Sequence, residues 1–285
     1  MSGVRPQAER LLEQAEAALE QAGVPSPRFD AETLLSHVTG SPRALVRRAP
    51  VQEPQRRTFL DMIAARARRV PLQHLTGTTA FRYVDVEVGP GVFVPRPETE
   101  VMTGWIIDQI AGLPEPVVVE LCAGSGAISL SLVHEVPRAR VHAVELDEGA
   151  HSWALRNLAG TGVDLRLGDM AEAFADLDGT VDAVVANPPY IPIDAWESVA
   201  PEARDHDPAL ALWSGSDGLD AMRVVERVAR RLLRPGGVVA AEHADAQGQS
   251  APAVFCGEPP AWTQVRDHPD LAGRPRFVTA CRLGP

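Results

Sequence analysis

Apolar residues recur every three to four positions through the first quarter of the chain. Between residues 5 and 22, Leu11, Leu12, Ala15, Ala18 and Leu19 share one side of a predicted helix, with glutamates on the other. A second helix is predicted from about Pro27 through Ala31, Leu34, Leu35 and Val38, stopped by Gly40. A third starts near Pro54 and carries Phe59, Met62, Ile63 and Ala67. The arginine string beside it, Arg66, Arg68 and Arg69, reads as a solvated helix face. Residues 1–76 are thus expected to form a small helical domain.

From Thr78 the period changes to two. Phe81, Tyr83 or Val84, Val86 and Val88 alternate with polar residues; Gly89-Pro90-Gly91 then turns the chain, and Val92-Phe93-Val94 returns. This predicts a β-hairpin, and residues 77–95 are read as a connector.

A third domain, residues 96–285, is expected to follow. From Pro116 onward strands and helices alternate. Strands are predicted over 117–121, 140–146, 164–167, 181–186 and 237–243, with two more runs around 261–265 and 276–281. Helices are predicted over 128–133, 150–158 and 219–233, and the stretch after Ala246 reads poorly as one. Continuous apolar strands separated by helices indicate a parallel sheet covered on both faces. Ligands of such α/β folds bind at the carboxyl ends of the strands.

Composition narrows the classes. Hydrophobic residues make up 45% of the 285 and charged residues 23%, as in ordinary soluble globular proteins. A net charge of -11 weighs against a protein held to nucleic acid by phosphate contacts. No apolar run reaches the roughly 18 residues of a membrane helix, and the polar N-terminus lacks the apolar core of a signal peptide. Cys122, Cys256 and Cys281 form neither an even disulfide set nor a metal pair. A cytoplasmic, metal-free protein is expected, with no nucleic-acid or membrane partner.

Candidate chemistry gathers at the strand ends. The first strand runs into Cys122-Ala123-Gly124-Ser125-Gly126, a turn that lets a ligand approach the backbone, with Ser129 in place of a third glycine. About twenty residues further on, Glu145 ends the second strand, where an acid can accept from two ribose hydroxyls. Together these favour a nucleoside cofactor without choosing between a dinucleotide and S-adenosylmethionine. After the third strand, Asp169 can accept from an adenine amino group, with Met170 against the ring; equally, Asp169 can cap the next helix.

The fourth strand ends in Asn187-Pro188-Pro189-Tyr190. A planar NH2 group is a poor nucleophile because its lone pair is delocalised. To attack a sulfonium methyl it must be held with both N–H bonds engaged. The Asn187 side-chain oxygen can take one and the Pro188 carbonyl the other, while the prolines fix the backbone and Tyr190 offers a flat face. That constellation fits adenine N6, guanine N2 or glutamine N5.

The resemblance extends further. RFDAETLLSHVTG (28–40), VPLQHLTGTTAF (70–81), FVPRPETE (93–100), ELCAGSGAISL, NPPYIP, DPALALWSGSDGLDAMRVV (207–225), LLRPGGVVAAEH (232–243) and DLAGRPRFVTA (270–280) occur in order. Together they resemble the release-factor glutamine methyltransferase family (PrmC, or HemK) over nearly the whole chain. This implies a Rossmann-like, seven-stranded methyltransferase domain behind a helical domain and hairpin. It also implies transfer of a methyl group from S-adenosylmethionine to the glutamine of the GGQ motif in peptide-chain release factors. Cofactor contacts are implied at Cys122, Ala123, Gly124, Ser125, Gly126, Glu145, Met170 and Asn187, and substrate contacts at Asn187, Pro188, Pro189 and Tyr190. Arg96 to Glu100 are expected beside the cofactor pocket, with Thr99 or the adjacent acids as alternative helix caps. Cys122-Ala123 stand where the family often has Gly-Thr, Met170 where an aromatic is common, and Asp207 where a glutamate precedes the proline. A glutamine methyltransferase acting on a ribosomal protein, an adenine-N6 nucleic-acid methyltransferase and a non-catalytic binding protein are the competing readings.

Overall fold

The computed structural model describes residues 7–284. They divide into two units, one running to Thr78 and including Ala200–His206, the other made of Thr79–Val199 and Asp207 onward.

The first unit contains α1 (Gln7–Gln21), α2 (Pro27–Thr39), α3 (Glu53–Ala67) and α4 (Leu72–Thr76). Residues 5 and 6 of the first predicted helix lie outside the described residues. Leu11, Leu12, Ala15 and Leu19 of α1 meet Leu34 and Leu35 of α2 and Phe59 and Ile63 of α3 in one core. Ala18 is exposed instead, because the buried stripe centres on Ala8, Ala15 and Leu19 and Ala18 falls beyond its edge. Gly40 ends α2 at φ 68°, its N–H bonded to the Ser36 carbonyl.

The arginine string is not a solvated face. Arg66 is buried, donating to Asp30 at 2.7 Å and to Glu202 at 2.8 Å. Arg69 grips Glu202 through Nε at 2.8 Å and Nη2 at 2.6 Å, and Arg68 alone stays exposed. Facing carboxylates make burial tolerable for the guanidinium groups, and one of them comes from 136 residues away.

In the second unit the hairpin forms one turn earlier than the alternation predicts. Strands β1 (Thr78–Phe81) and β2 (Val84–Glu87) flank Arg82-Tyr83. Arg82 takes φ 53°, a conformation costly for a side chain with a Cβ. Its guanidinium offsets the cost by pairing with Glu135 at 2.6 and 2.7 Å and donating to the Glu100 carbonyl at 2.9 Å. Val92 and Val94 are buried without forming a returning strand. Gly89 serves packing rather than a hairpin turn: a Cβ there would lie 2.5 Å from the Trp153 ring.

After α5 (Pro97–Ile110), which the apolar pattern did not predict, come β3 (Val117–Leu121), α6 (Ala127–Glu135), β4 (Arg140–Glu145), α7 (Glu148–Asn157), β5 (Asp164–Leu167) and β6 (Val181–Ala186). Then follow α8 (Pro201–His206), the piece belonging to the first unit, α9 (Asp220–Leu232), β7 (Leu233–Glu242), the five-residue α10 (Ser250–Val254), β8 (Trp262–Pro269) and β9 (Pro275–Arg282). The seven strands order as β5-β4-β3-β6-β7-β9-β8, parallel from β5 to β7 and antiparallel through β9 and β8. Alternate strand residues face opposite layers. Val119, Val184 and Val239 pack with Met222, Val225 and Leu232 of α9. Val118, Val185 and Ala240 pack with Met102 and Ile106 of α5 and Leu132 of α6. This is a Rossmann-like sheet whose chain order reverses between β3 and β6, the place where such sheets open a ligand crevice.

Candidate active site

Register alone brings the predicted residues together. Leu121 pairs with both Val144 and Ala186, Glu145 with Leu167, and Ala186 with Ala241. The turn at 122–126, Glu145, Gly168-Asp169-Met170 and Asn187 therefore leave one edge of the sheet side by side.

The turn after β3 is held from behind. Glu120, 1% exposed, accepts both the N–H and the hydroxyl of Ser129. A strand carboxylate thereby caps the first turn of α6, and Ser129 fills the third glycine position for that purpose. Burial pushes the Glu120 carboxyl up to about 8 against those two hydrogen bonds. Gly124 and Gly126 lie at φ 57° and 79°, and Cys122 at φ 59°. Cys122 thus occupies the left-handed region that glycine adopts without cost.

Glu145 fixes the turn from the front. Its Oε2 accepts the Gly124 N–H at 2.7 Å and its Oε1 the Asp147 N–H at 2.8 Å. Each oxygen keeps a further lone pair, so this half-buried carboxylate suits a vicinal diol laid against it. Met170 sets its sulfur 3.6 Å from that of Cys122 and packs on the core, giving an apolar wall beside the turn. Asp169 is exposed and accepts the Ala171 N–H at 2.8 Å. Of its two readings, the local cap is formed, although a turn and not a helix follows.

Asn187 begins the loop after β6. Its Nδ2 donates to the Thr99 hydroxyl at 3.2 Å, and Thr99 donates to Glu242 Oε2 at 2.6 Å. The other Glu242 oxygen accepts the Tyr190 hydroxyl at 3.2 Å. Thr99 therefore does not cap α5 with its side chain. Burial pushes the Glu242 carboxyl up to about 7 and raises the Tyr190 phenol as well. The Tyr190 carbonyl accepts from Gln247 Nε2 at 3.1 Å, Ile191 donates to Leu212, and Ser214 donates to the Ile191 carbonyl. Gly218 (φ 75°) lies so close that a Cβ would stand 2.3 Å from the Tyr190 oxygen. The Pro188 carbonyl has no donor among the described residues.

Sequence reasoning missed Glu242, Gln247 and Glu120. Glu242 carries the same signal as Glu145, an acid ending an apolar parallel strand.

Residues 10–77 match the PrmC N-terminal domain model, and residues 118–206 match a methyltransferase domain model. A release factor glutamine methyltransferase of Streptomyces coelicolor is 56% identical over 95% of this chain and 97% of its own length. One of Mycolicibacterium smegmatis is 45% identical over 95% and 96%. The chain belongs to the release factor glutamine methyltransferase family. A 4-amino-L-phenylalanine/4-methylamino-L-phenylalanine methyltransferase of Streptomyces pristinaespiralis is 41% identical over 90% of this chain and 89% of its own length. As a member of the release factor glutamine methyltransferase family, the protein is a methyltransferase whose methyl donor is S-adenosylmethionine. Asp207 meets a cation: its Oδ2 lies 3.1 Å from Arg96 Nη2. Burial lifts that carboxyl to about 6 against the attraction of Arg96, and its Oδ1 is buried without a partner.

Among the described residues no helix is long and apolar enough to cross a membrane.

Proposed function

We propose that this chain methylates the side-chain amide nitrogen N5 of the glutamine in the GGQ motif of peptide-chain release factors. The observation that carries the reading is the Asn187 amide, tied back through its NH2 group so that its oxygen is left to accept. Asn187 Oδ1 takes one N–H of the target amide and the Pro188 carbonyl takes the other. With both N–H bonds engaged, the nitrogen lone pair is aimed rather than averaged over orientations. The Tyr190 ring, anchored by its hydroxyl, flanks the planar group with Pro189 beside it. As positive charge grows on the nitrogen, the two oxygens stabilise it. The released proton passes to solvent after transfer, so no strong base is required.

S-adenosylmethionine, when bound, supplies the electrophilic sulfonium methyl. The turn at Cys122–Gly126 and the held carboxylate of Glu145 fit its nucleoside. Met170 and Asn187 bound the pocket, and Asp169 lies at its exposed rim.

A protein substrate accords with the helical unit and with the net charge of -11, which favours neither DNA nor RNA as partner. The reaction belongs where translation ends, in the cytoplasm. The arylamine-methylating relative supports a second reading, because the same acceptors suit any planar NH2 group. One experiment separates them: labelled S-adenosylmethionine is offered with a purified release factor, with its GGQ→GGA variant, with ribosomal protein, with DNA and with 4-amino-L-phenylalanine. Label on the release factor, mapped to the GGQ glutamine and lost in GGA, is expected. Label on any other substrate in its place overturns the reading.

A further inference from the structure

Thr99 and Glu242 touch neither cofactor nor substrate in the assignment above, yet they close a buried chain of hydrogen bonds on Asn187. We infer that Thr99 and Glu242 are positioning residues that decide which end of the Asn187 amide faces the substrate nitrogen. The inference rests on the reading of Asn187 as the acceptor of a substrate N–H.

The β6–β7 register pairs Ala186 with Ala241 and so sets Glu242 beside Asn187. Glu242 is 1% exposed and Thr99 3%, so water does not compete for either. An ionised carboxylate accepts only. The single Thr99 proton therefore goes to Glu242 Oε2, 2.6 Å away. What remains on the hydroxyl is a lone pair, and that end takes a donor: Asn187 Nδ2, at 3.2 Å. With the NH2 end committed, Oδ1 points away from Thr99. A reversed amide would set NH2 against the substrate NH2, donor against donor. The second Glu242 oxygen holds the Tyr190 hydroxyl, so one carboxylate orients two of the side chains around the target group.

The device depends on the charge of Glu242. Around it stand Thr99 and Glu98 from α5, Tyr190 from the loop after β6, and Arg276 from β9. His243, just past the end of β7, is engaged by Asp267 at 2.9 Å. Burial pushes the carboxyl up to about 7, while Thr99, Arg276 and Tyr190 pull it down and Glu98 pushes it further up. Once protonated, Glu242 can donate to Thr99, whose own proton is then free for Asn187 Oδ1, and the amide reverses. Methyl transfer is therefore expected to rise with pH through about 7.

The test is single-turnover methyl transfer to a purified release factor by wild type, T99V, T99S, E242Q and N187A, with S-adenosylmethionine affinity measured by calorimetry. T99V and E242Q are expected to lose on the order of 10²-fold in rate, the scale of a misplaced reacting group. Cofactor affinity stays within about threefold, T99S recovers most of the rate, and E242Q loses the rise with pH. Because T99V and T99S differ chiefly in the hydroxyl, that pair decides the matter even if E242Q fails to fold. Wild-type rates in T99V beside an inactive N187A overturn the positioning role and leave the reading of Asn187 standing. A fully active N187A overturns that reading, and the inference with it.

Discussion

The backbone N–H of Gly124 points at the Glu145 carboxylate from 2.7 Å, so the acid shapes the turn whether or not a ligand is present. Glu145 thus has two tasks, holding the turn and receiving hydroxyls. Glu145→Ala is expected to weaken S-adenosylmethionine binding by about 1.5–3 kcal/mol, the scale for hydrogen bonds to a charged group. Glu145→Gln, which keeps an acceptor for Gly124, should lose less. Calorimetric titration checks the order, and unchanged affinity in the alanine variant refutes the ribose assignment.

Gly218 backs the Tyr190 carbonyl. At φ 75°, with a Cβ 2.3 Å from that oxygen and 2.6 Å from Gln247 Nε2, Gly218→Ala must displace the loop carrying Asn187 to Tyr190. The expected result is a fall in single-turnover rate of about 10²-fold with a much smaller loss of cofactor affinity, since Glu145 and Gly124 stand at the ends of other strands. Equal losses of rate and affinity would show that the displacement spreads across the whole strand edge.

Glu120 sets a slope of stability with pH. Its carboxyl sits at about 8 in the folded chain against 4.5 normally, so between these values the folded state holds more protons than the unfolded one. Stability then falls as pH rises through that window. Glu242 and Asp207 act in the same direction at lower pH. Glu120→Gln removes its share, so its melting temperature relative to wild type should climb from pH 5 to pH 8. A constant difference across that range would contradict the assignment.

Glu202 behaves in the opposite sense. Burial raises its carboxyl, but hydrogen bonds from Arg69 and Arg66 outweigh that and hold it at about 2. Its contribution is complete above about 4.5, the ordinary glutamate value, and is lost as pH falls toward 2. Urea midpoints of wild type and Glu202→Gln should differ at pH 7 and converge in acid. Arg66→Ala, which strips the buried Asp30 of its partner, should cost about 3–5 kcal/mol.

Periodicity alone located the parallel strands, because Val117–Leu121 and Val181–Ala186 are apolar runs bounded by turn residues. It placed Asn187 and the glycine turn together because parallel strands must end on one edge. The hairpin was misplaced because an ion pair with Glu135 makes φ > 0 affordable at Arg82, a tertiary effect with no local signature. The arginines looked solvated for a similar reason: Asp30 and Glu202 are distant in sequence. The apolar pattern did not predict helix α5 because Gly104, a poor helix former, sits in its uncharged middle and Glu98 and Glu100 fill its first turn. Thr99 could be read as a cap until Glu242, 143 residues away, proved to be its acceptor.

The return of Ala200–His206 to the helical unit bears on the order in which the chain is made. That unit begins first at the ribosome, yet Arg66 and Arg69 receive Glu202 only after most of the sheet's parallel strands have emerged. Domains ordinarily complete in order of synthesis. Here the helices made before the sheet keep an open charge cluster until Glu202 follows, so the helical unit is completed only after β3, β4, β5 and β6 have been made.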